Sequence, residues 1–492
     1  MAGICMLFVG EQASGFVPIS PTMRLEETDQ VDTPVIGDVS GEIDGDGPTV
    51  IRSSDPVPVP EVTAPPAPET DSSWRFRWMG WDGVEFEIQE KTSFKNPAVF
   101  TEGNGSQDFS YMASHFSVER LTFHARIGIR ADMDFFHSFP IGSTGNKSTR
   151  LALRRFRVLT KGDFQLLFPV IYQLELGYVP NNFYVENMYI AMEGLKWLGE
   201  LKLGQFTAPM GLDALTSSRW ITFMEEASPS AALAPGVNLG LQMHRTFKDD
   251  KITFTGGLFS DAVTSDTGEA TENFGRLIGR LSWVSGWEDG PAIDEPEQMV
   301  HWGVSMNAVY AASDFIQYRS RPEAHAADYL IDTGPVDADK AETFAVEFAK
   351  VSGPRLLQWE AFLSRVSTAG EADDSSLLFF GGYFTASWIL TGERRRYIKK
   401  GGVFGGVRPN TTSSWDNKWG GALEVSGRIS YTDLTDGSID GGSMLLAGAG
   451  LTWYARSRLR FKANLIGGQV KRFGNRDNVL LIEFRVSTDL GP

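Results

Sequence analysis

The sequence predicts an all-β fold: a transmembrane antiparallel β-barrel of about sixteen strands with an inward-folded constriction loop and a disordered N-terminal segment. Three observations carry this. From residue 118 onward the chain is a succession of period-two segments separated by turn-rich joints. The segments run about ten residues or more, which suits a tilted membrane strand better than the shorter strand of a soluble sheet. Aromatic residues stand near segment ends, at Trp197, Trp220, Trp283 with Trp287, Trp415 with Trp419, and Trp453 with Tyr454, where an interfacial girdle would hold them.

The alternation is plain in RLRFKANL, where Leu459, Phe461, Ala463 and Leu465 share one face and Arg458, Arg460, Lys462 and Asn464 the other. In RLIGRLSW, Leu277, Gly279, Leu281 and Trp283 alternate with Arg276, Ile278, Arg280 and Ser282. Alternation alone fits a soluble β-sandwich equally, because there the apolar face is the core, whereas in a membrane barrel it meets lipid. Strand length and the aromatic ends favour the barrel. Nowhere does the sequence offer the run of about 18 apolar residues that a transmembrane helix needs.

Taken in order, residues 1–15 resemble the tail of a truncated signal peptide, an apolar stretch AGICMLFVG followed by Ala13, Ser14 and Gly15. Residues 16–72 are acidic and Pro-rich, with PVPVPEVTAPPAPE at 56–69, and are expected to form a disordered linker that cannot bury enough apolar surface to fold. Residues 73–117 are an aromatic-rich segment preceding the barrel, a small plug or an extra strand. Residues 118–492 are the barrel. The chain runs past Phe484 to Asp489-Leu490-Gly491-Pro492, so its last strand is not expected to finish on an aromatic residue.

A net charge of −17 sits awkwardly with anion transport, but residues 25–71 hold twelve acidic side chains against the single Arg52. The field inside the barrel, not the total, governs permeation. The acidic balance and the lack of a basic stripe exclude nucleic acid as a partner. Cys5 is alone, so no internal disulfide or cysteine metal site exists. The six histidines form no HExxH, and no GxSxG elbow is present; no catalytic residue, metal or cofactor is predicted.

Residues 203–245 run from one strand pattern into another through a long polar insert bearing Gly and Pro, read as two strands joined by a loop that folds inward. Within it, Gly204-Gln205-Phe206, Gly211-Leu212-Asp213, Thr216 to Thr222, Glu225 and Ala234-Pro235-Gly236 resemble the constriction loop of the phosphate-selective porin O and P family. Arg126 to Arg130 with Asp132, Leu153-Arg154-Arg155, Tyr318 to His325 and Leu390-Thr391-Gly392-Glu393 extend the resemblance to roughly residues 120–470. It implies an outer-membrane homotrimer through which phosphate or other small anions diffuse passively. It also implies pore-lining, anion-binding roles for Arg130, Arg154, Arg155, Arg219, Arg319 and Arg321, with Arg130 and Arg155 foremost at the constriction. Asp213, Ala214, Trp220, Glu225 and Glu226 would form the constriction loop. Arginine suits this task because its planar fork donates two parallel hydrogen bonds to an oxyanion and stays charged. Taken singly, each arginine is read equally well as a charge paired with a strand carboxylate.

Three positions depart from the family pattern. Ala214 stands where a lysine is usual, Val185 where a carboxylate faces that lysine, and Glu226 where arginine is usual. These changes keep a general or weakly cation-preferring porin open as an alternative. A secreted soluble β-sandwich that binds or hydrolyses glycans, and a non-conducting structural barrel, are the other readings.

Overall fold

The computed structural model describes residues 69–78, 84–93, 121–139, 147–165, 168–179, 182–262, 274–310, 315–368, 376–413 and 420–490. The leader expected at 1–15, nearly all of the linker expected at 16–72, and Trp415 and Trp419 lie outside the described residues. Strands β1 to β4 are Leu121–Ser138, Ser148–Gln165, Pro169–Val179 and Asn182–Leu195. Strands β5 to β8 are Gly199–Thr207, Val237–Phe247, Ile252–Asp261 and Phe274–Glu288. Strands β9 to β12 are Gln298–Tyr310, Val336–Ser352, Arg355–Thr368 and Ser376–Ile389. Strands β13 to β16 are Ala422–Asp436, Ile439–Arg456, Leu459–Arg472 and Asn475–Leu490.

Each of the 16 strands pairs antiparallel with the next, and β16 returns to β1 from Leu490 opposite Ile129 to Leu481 opposite Ser138. Closure gives each of these 16 strands a partner on both sides, the condition for crossing a bilayer with strands. β16 covers only the second half of β1. The first half, Leu121 to Ile127, pairs with strand Val84–Ser93, itself in a hairpin with Glu69–Trp78.

The distribution of polarity is inside out. On β1, Ile127, Ile129, Met133 and Phe135 are exposed while Arg130, Asp132 and Asp134 are buried. On β15, Phe461 and Leu465 are exposed while Arg460, Lys462 and Asn464 are buried. A soluble sandwich would bury the apolar set, so this inversion decides for a barrel whose outer face meets lipid.

An aromatic row crosses five strands, with Trp283, Trp302, Phe348, Trp359 and Phe384 opposite one another in register. Ring centroids are 6.3 Å apart for Trp283 and Trp302 and 4.7 Å for Trp302 and Phe348. Trp453 stacks on Phe461 at 5.2 Å, and Trp197 is exposed at the β4–β5 turn. Three girdle expectations are corrected. Trp220 lies in the inward loop with the Arg460 guanidinium 4.7 Å from its ring, Tyr454 is fully buried and donates to Glu424 at 2.7 Å, and Trp287 packs against Tyr397. Each sits on the lumen side, where polar handles find protein partners.

Residues 208–236, joining β5 to β6, fold into the lumen and carry short helices α1 (Leu212–Leu215) and α2 (Ser228–Leu233). Their apolar side chains, Met210 and Leu233 among them, share a buried cluster with Phe206, Phe259, Phe362 and Phe379 of the wall. A second inward segment was not expected. Residues 390–421 join β12 to β13 at the opposite end of the barrel and include a hairpin of Arg395–Ile398 with Val403–Val407. Tyr397 of this hairpin hydrogen-bonds His301 at 2.7 Å, and the carbonyl of Gly402 accepts from Arg280 at 2.8 Å.

Candidate functional site

A loop inside a lumen has no ladder to satisfy its backbone, so side chains of the wall must do so. At Gly211, where φ is +80°, the chain turns so that the amides of Leu212 and Asp213 donate to Glu360 at 3.0 and 2.6 Å. Added to Gly211, a Cβ would stand 3.1 Å from that carboxylate. The loop carbonyls are met by cations: Lys462 donates to Ile221 at 2.7 Å and Phe223 at 3.0 Å, and Arg485 to Met224 at 2.5 Å. Asp213 accepts from the amide of Ala227 at 2.9 Å and lies 3.6 Å from Arg428.

Glu225 locks the loop tip to the wall. It takes both nitrogens of a bidentate Arg154 contact at 2.9 Å and one from Arg485 at 2.5 Å, with Arg155 at 3.7 Å. Burial works against its ionisation, and these three guanidinium groups outweigh it, holding the carboxyl well below its usual range.

What the loop leaves open is the side of the lumen lined by β1 to β4. A main cavity of about 630 Å³ lies between that wall and Ala214 to Arg219. A vestibule of about 440 Å³ lies under the β9–β10 connection, against Arg319, Arg321 and Tyr329. The two share Arg154, Glu226, Ala231, Ala234 and His325, which therefore form the neck between them.

All six arginines singled out in the sequence line one or both cavities. Their electrostatic states differ. Arg130 pairs with Asp132 at 2.7 Å and donates to Ser218 at 3.0 Å; Arg155 lies 3.3 Å from the same Asp132; Arg154 is held by Glu225. Arg219 rests against the Trp220 ring at 5.7 Å and Ser217, with no ion pair among the described residues. Arg319 and Arg321 both lie over the Tyr329 ring, at 4.3 and 4.1 Å, likewise with no ion pair among the described residues.

Two β-bulges shape the wall. Asp132 faces Arg155 and Met133 faces Leu153, so Arg154 is the extra residue and joins Arg155 in the lumen where strict alternation would send it to lipid. On β4, Glu175 faces Asn187 and Leu176 faces Val185, making Glu186 the extra residue. Glu186 lines the main cavity and pairs with Arg157 at 2.8 Å. A wall carboxylate thus stands one position along from Val185. Arg157, which the sequence reading did not single out, also holds Glu175 at 3.1 Å.

The neck carries two titratable groups of opposite displacement. Burial, then Asp213 and Glu225 nearby, pushes the Glu226 carboxyl up to about 7. Burial, then Arg154, pushes His325 down to about 3, so its imidazole is neutral at any physiological pH.

A closed barrel of 16 strands with an apolar outer face and a charged lumen narrowed by an inward loop is an outer-membrane porin. Its sequence places it further: the profile of the family described as phosphate-selective porin O and P matches residues 123–488, and the chain belongs to that family. It is 27% identical over 344 residues to an uncharacterized protein of Caulobacter vibrioides, covering 66% of this chain and 65% of that one. It is 24% identical over 345 residues to Porin O of Pseudomonas aeruginosa, covering 62% of this chain and 74% of that one. Among solved structures, the anion-selective porin from Comamonas acidovorans aligns at a TM-score of 0.49 and 10% identity, over 75% of this chain and 99% of that one. OmpT of Vibrio cholerae aligns at 0.46 and 10% identity, over 75% and 97%.

Proposed function

We propose that this porin passes small anions passively, phosphate among them, down their gradients through the vestibule, neck and main cavity. The observation that carries the reading is the placement, on both sides of the neck, of three arginines that have no carboxylate partner among the described residues: Arg319 and Arg321 before it and Arg219 beyond it. Lys161 continues the positive wall within electrostatic reach of Arg219 and Arg126. Such groups replace part of an anion's hydration at successive depths, each weakly enough to release it to the next. The family's description supports phosphate as a solute; assembly as a homotrimer is part of the same proposal. Arg130, Arg154 and Arg155 contribute through ion-paired guanidinium edges, Arg219, Arg319 and Arg321 as full charges.

A weakly cation-preferring pore is the second reading, and Glu226 in the neck is what favours it. Zero-current potentials of the purified protein in a planar bilayer under a potassium chloride gradient separate the two. Chloride is expected to carry more current than potassium. The opposite sign would overturn the anion reading, and the absence of discrete conductance steps would return the chain to a structural barrel.

A further inference from the structure

Resting on the anion reading, we propose that the neck is a charge-counting filter in which Glu226 sets the selectivity, admitting singly charged anions in preference to doubly charged ones.

The argument starts from what remains uncompensated at the neck. Arg154 gives both ends of its fork to Glu225 at 2.9 Å, so its charge is spoken for. Arg155 lies between Asp132 at 3.3 Å and Glu225 at 3.7 Å. His325 enters from the β9–β10 connection as a neutral ring. On the loop itself, Asp213 is tied to Arg428 at 3.6 Å and Glu225 to its arginines. Two other groups near the neck have no ion pair among the described residues, Arg321 beside His325 and the buried Glu483 behind Glu225 and Arg154, but Arg321 lines the vestibule alone and Glu483 lines neither cavity. Of the charged groups that line both cavities, Arg154 is held by Glu225 and Glu226 has no ion pair among the described residues.

Repulsion by one fixed carboxylate scales with the charge of the passing ion, so a dianion meets twice the barrier of a monoanion. The hydration a dianion must shed rises more steeply, as the square of its charge, and the cations left to replace it are dispersed. The main cavity offers one unpaired arginine, Arg219, because Arg130 and Arg157 are matched by Asp132, Glu175 and Glu186. A single charge suits that site; a second is left without a partner.

Glu226 also supplies a handle. With its carboxyl near 7, it is largely protonated at pH 6 and largely ionised at pH 8, so the filter sharpens as pH rises. Phosphate changes charge in the same range, so sulfate, a dianion throughout, is the better probe.

The test measures chloride-over-sulfate permeability from zero-current potentials in neutral-lipid bilayers at pH 6 and pH 8. The ratio is expected to rise about threefold between them, the effect of one added unit charge about 7 Å away in water. Glu226→Gln should hold the ratio at its low, pH 6 value at both pH values. A ratio that ignores pH, or the same pH step in Glu226→Gln, overturns the proposal. The wild-type pH step stands as a test even if the variant does not assemble. Chloride against potassium, read on the same membranes, reports separately whether the pore prefers anions at all.

Discussion

The two sides of the lumen are built from the same residue types and do different things with them. On the side of β8 to β16, cations are buried against carboxylates and loop carbonyls: Arg280 on Glu347 at 2.6 Å, Arg395 on Glu424 at 2.5 Å, Arg485 on Asp134 at 2.6 Å, and Lys462 on the carbonyls of Ile221 and Phe223. Beside the open cavities, Arg219, Arg319 and Arg321 meet aromatic rings and hydroxyl groups instead. An ion pair presents little net field to a passing solute, whereas an arginine on a Tyr or Trp face keeps its charge. Counting lumenal arginines therefore overstates the field that an anion feels. Partnering separates the arginines that hold the inward segments from those whose charge is left open to the cavities.

The sharpest way to break this contrast is to remove an anchor. Glu347 accepts from Arg280 and from His301 at 3.2 Å with its side chain fully buried. Glu347→Ala strands a buried guanidinium, at a cost of about 3–5 kcal/mol. The melting temperature in detergent is expected to fall accordingly, and a wild-type melting curve would show that the anchored side is no anchor. Smaller, and in a different observable, is the link between the two inward segments. Arg395 donates to the carbonyl of Trp220 at 2.6 Å while paired to Glu424. Arg395→Ala is expected to raise single-channel conductance and its noise, since the hairpin of residues 395–407 would no longer brace the constriction loop. Unchanged traces would mean the apolar contacts around Phe404 suffice.

The contrast was only half legible in the sequence. Alternation in segments such as RLRFKANL places Arg460 and Lys462 together on one face, and the structure bears out the strand number and the inward loop because period two is a property of the backbone itself. What period two cannot express is a bulge. Arg154 and Arg155 are adjacent in a strand, and adjacent charges on a membrane strand are the one sign that the register must slip, since one of them would otherwise face lipid. Glu186, flanked by Val185 and Asn187, carries the same sign more faintly. The segment 390–421 was read only for its Leu390 to Glu393 motif and for Trp415 and Trp419 as girdle aromatics. Its hairpin is too short for periodicity, and partners that hold it, Arg280, Asp294 and His301, lie far away in sequence. Partnering, too, is a property of distance, so no pattern distinguishes Arg130 from Arg219.

On the open side, Arg219→Ala is expected to lower chloride permeability about threefold and the chloride-to-potassium ratio about sevenfold, the effect of one unit charge roughly 7 Å from the path in water on ions of opposite sign. The melting temperature should stay within about 1 °C, because no ion pair is broken. A fall in stability comparable to that of Glu347→Ala would erase the distinction between the two sides.

The smallest effect belongs to the vestibule. Arg319 and Arg321 share one ring, and their charges act on ions still largely hydrated, before the neck. Their contribution is to concentrate anions at the entrance, a long-range effect that salt screens with a Debye length of about 10 Å at 0.1 M. Replacing both by Ala should therefore reduce anion conductance by about twofold at low salt and leave it unchanged at 1 M. For Arg219→Ala the loss should largely persist at 1 M, because that guanidinium is half-buried in the confined main cavity, where salt screens a charge much less than on an open surface. Equal salt dependence for the two variants would place Arg219 in the vestibule's role and leave the main cavity without a charged binding site of its own.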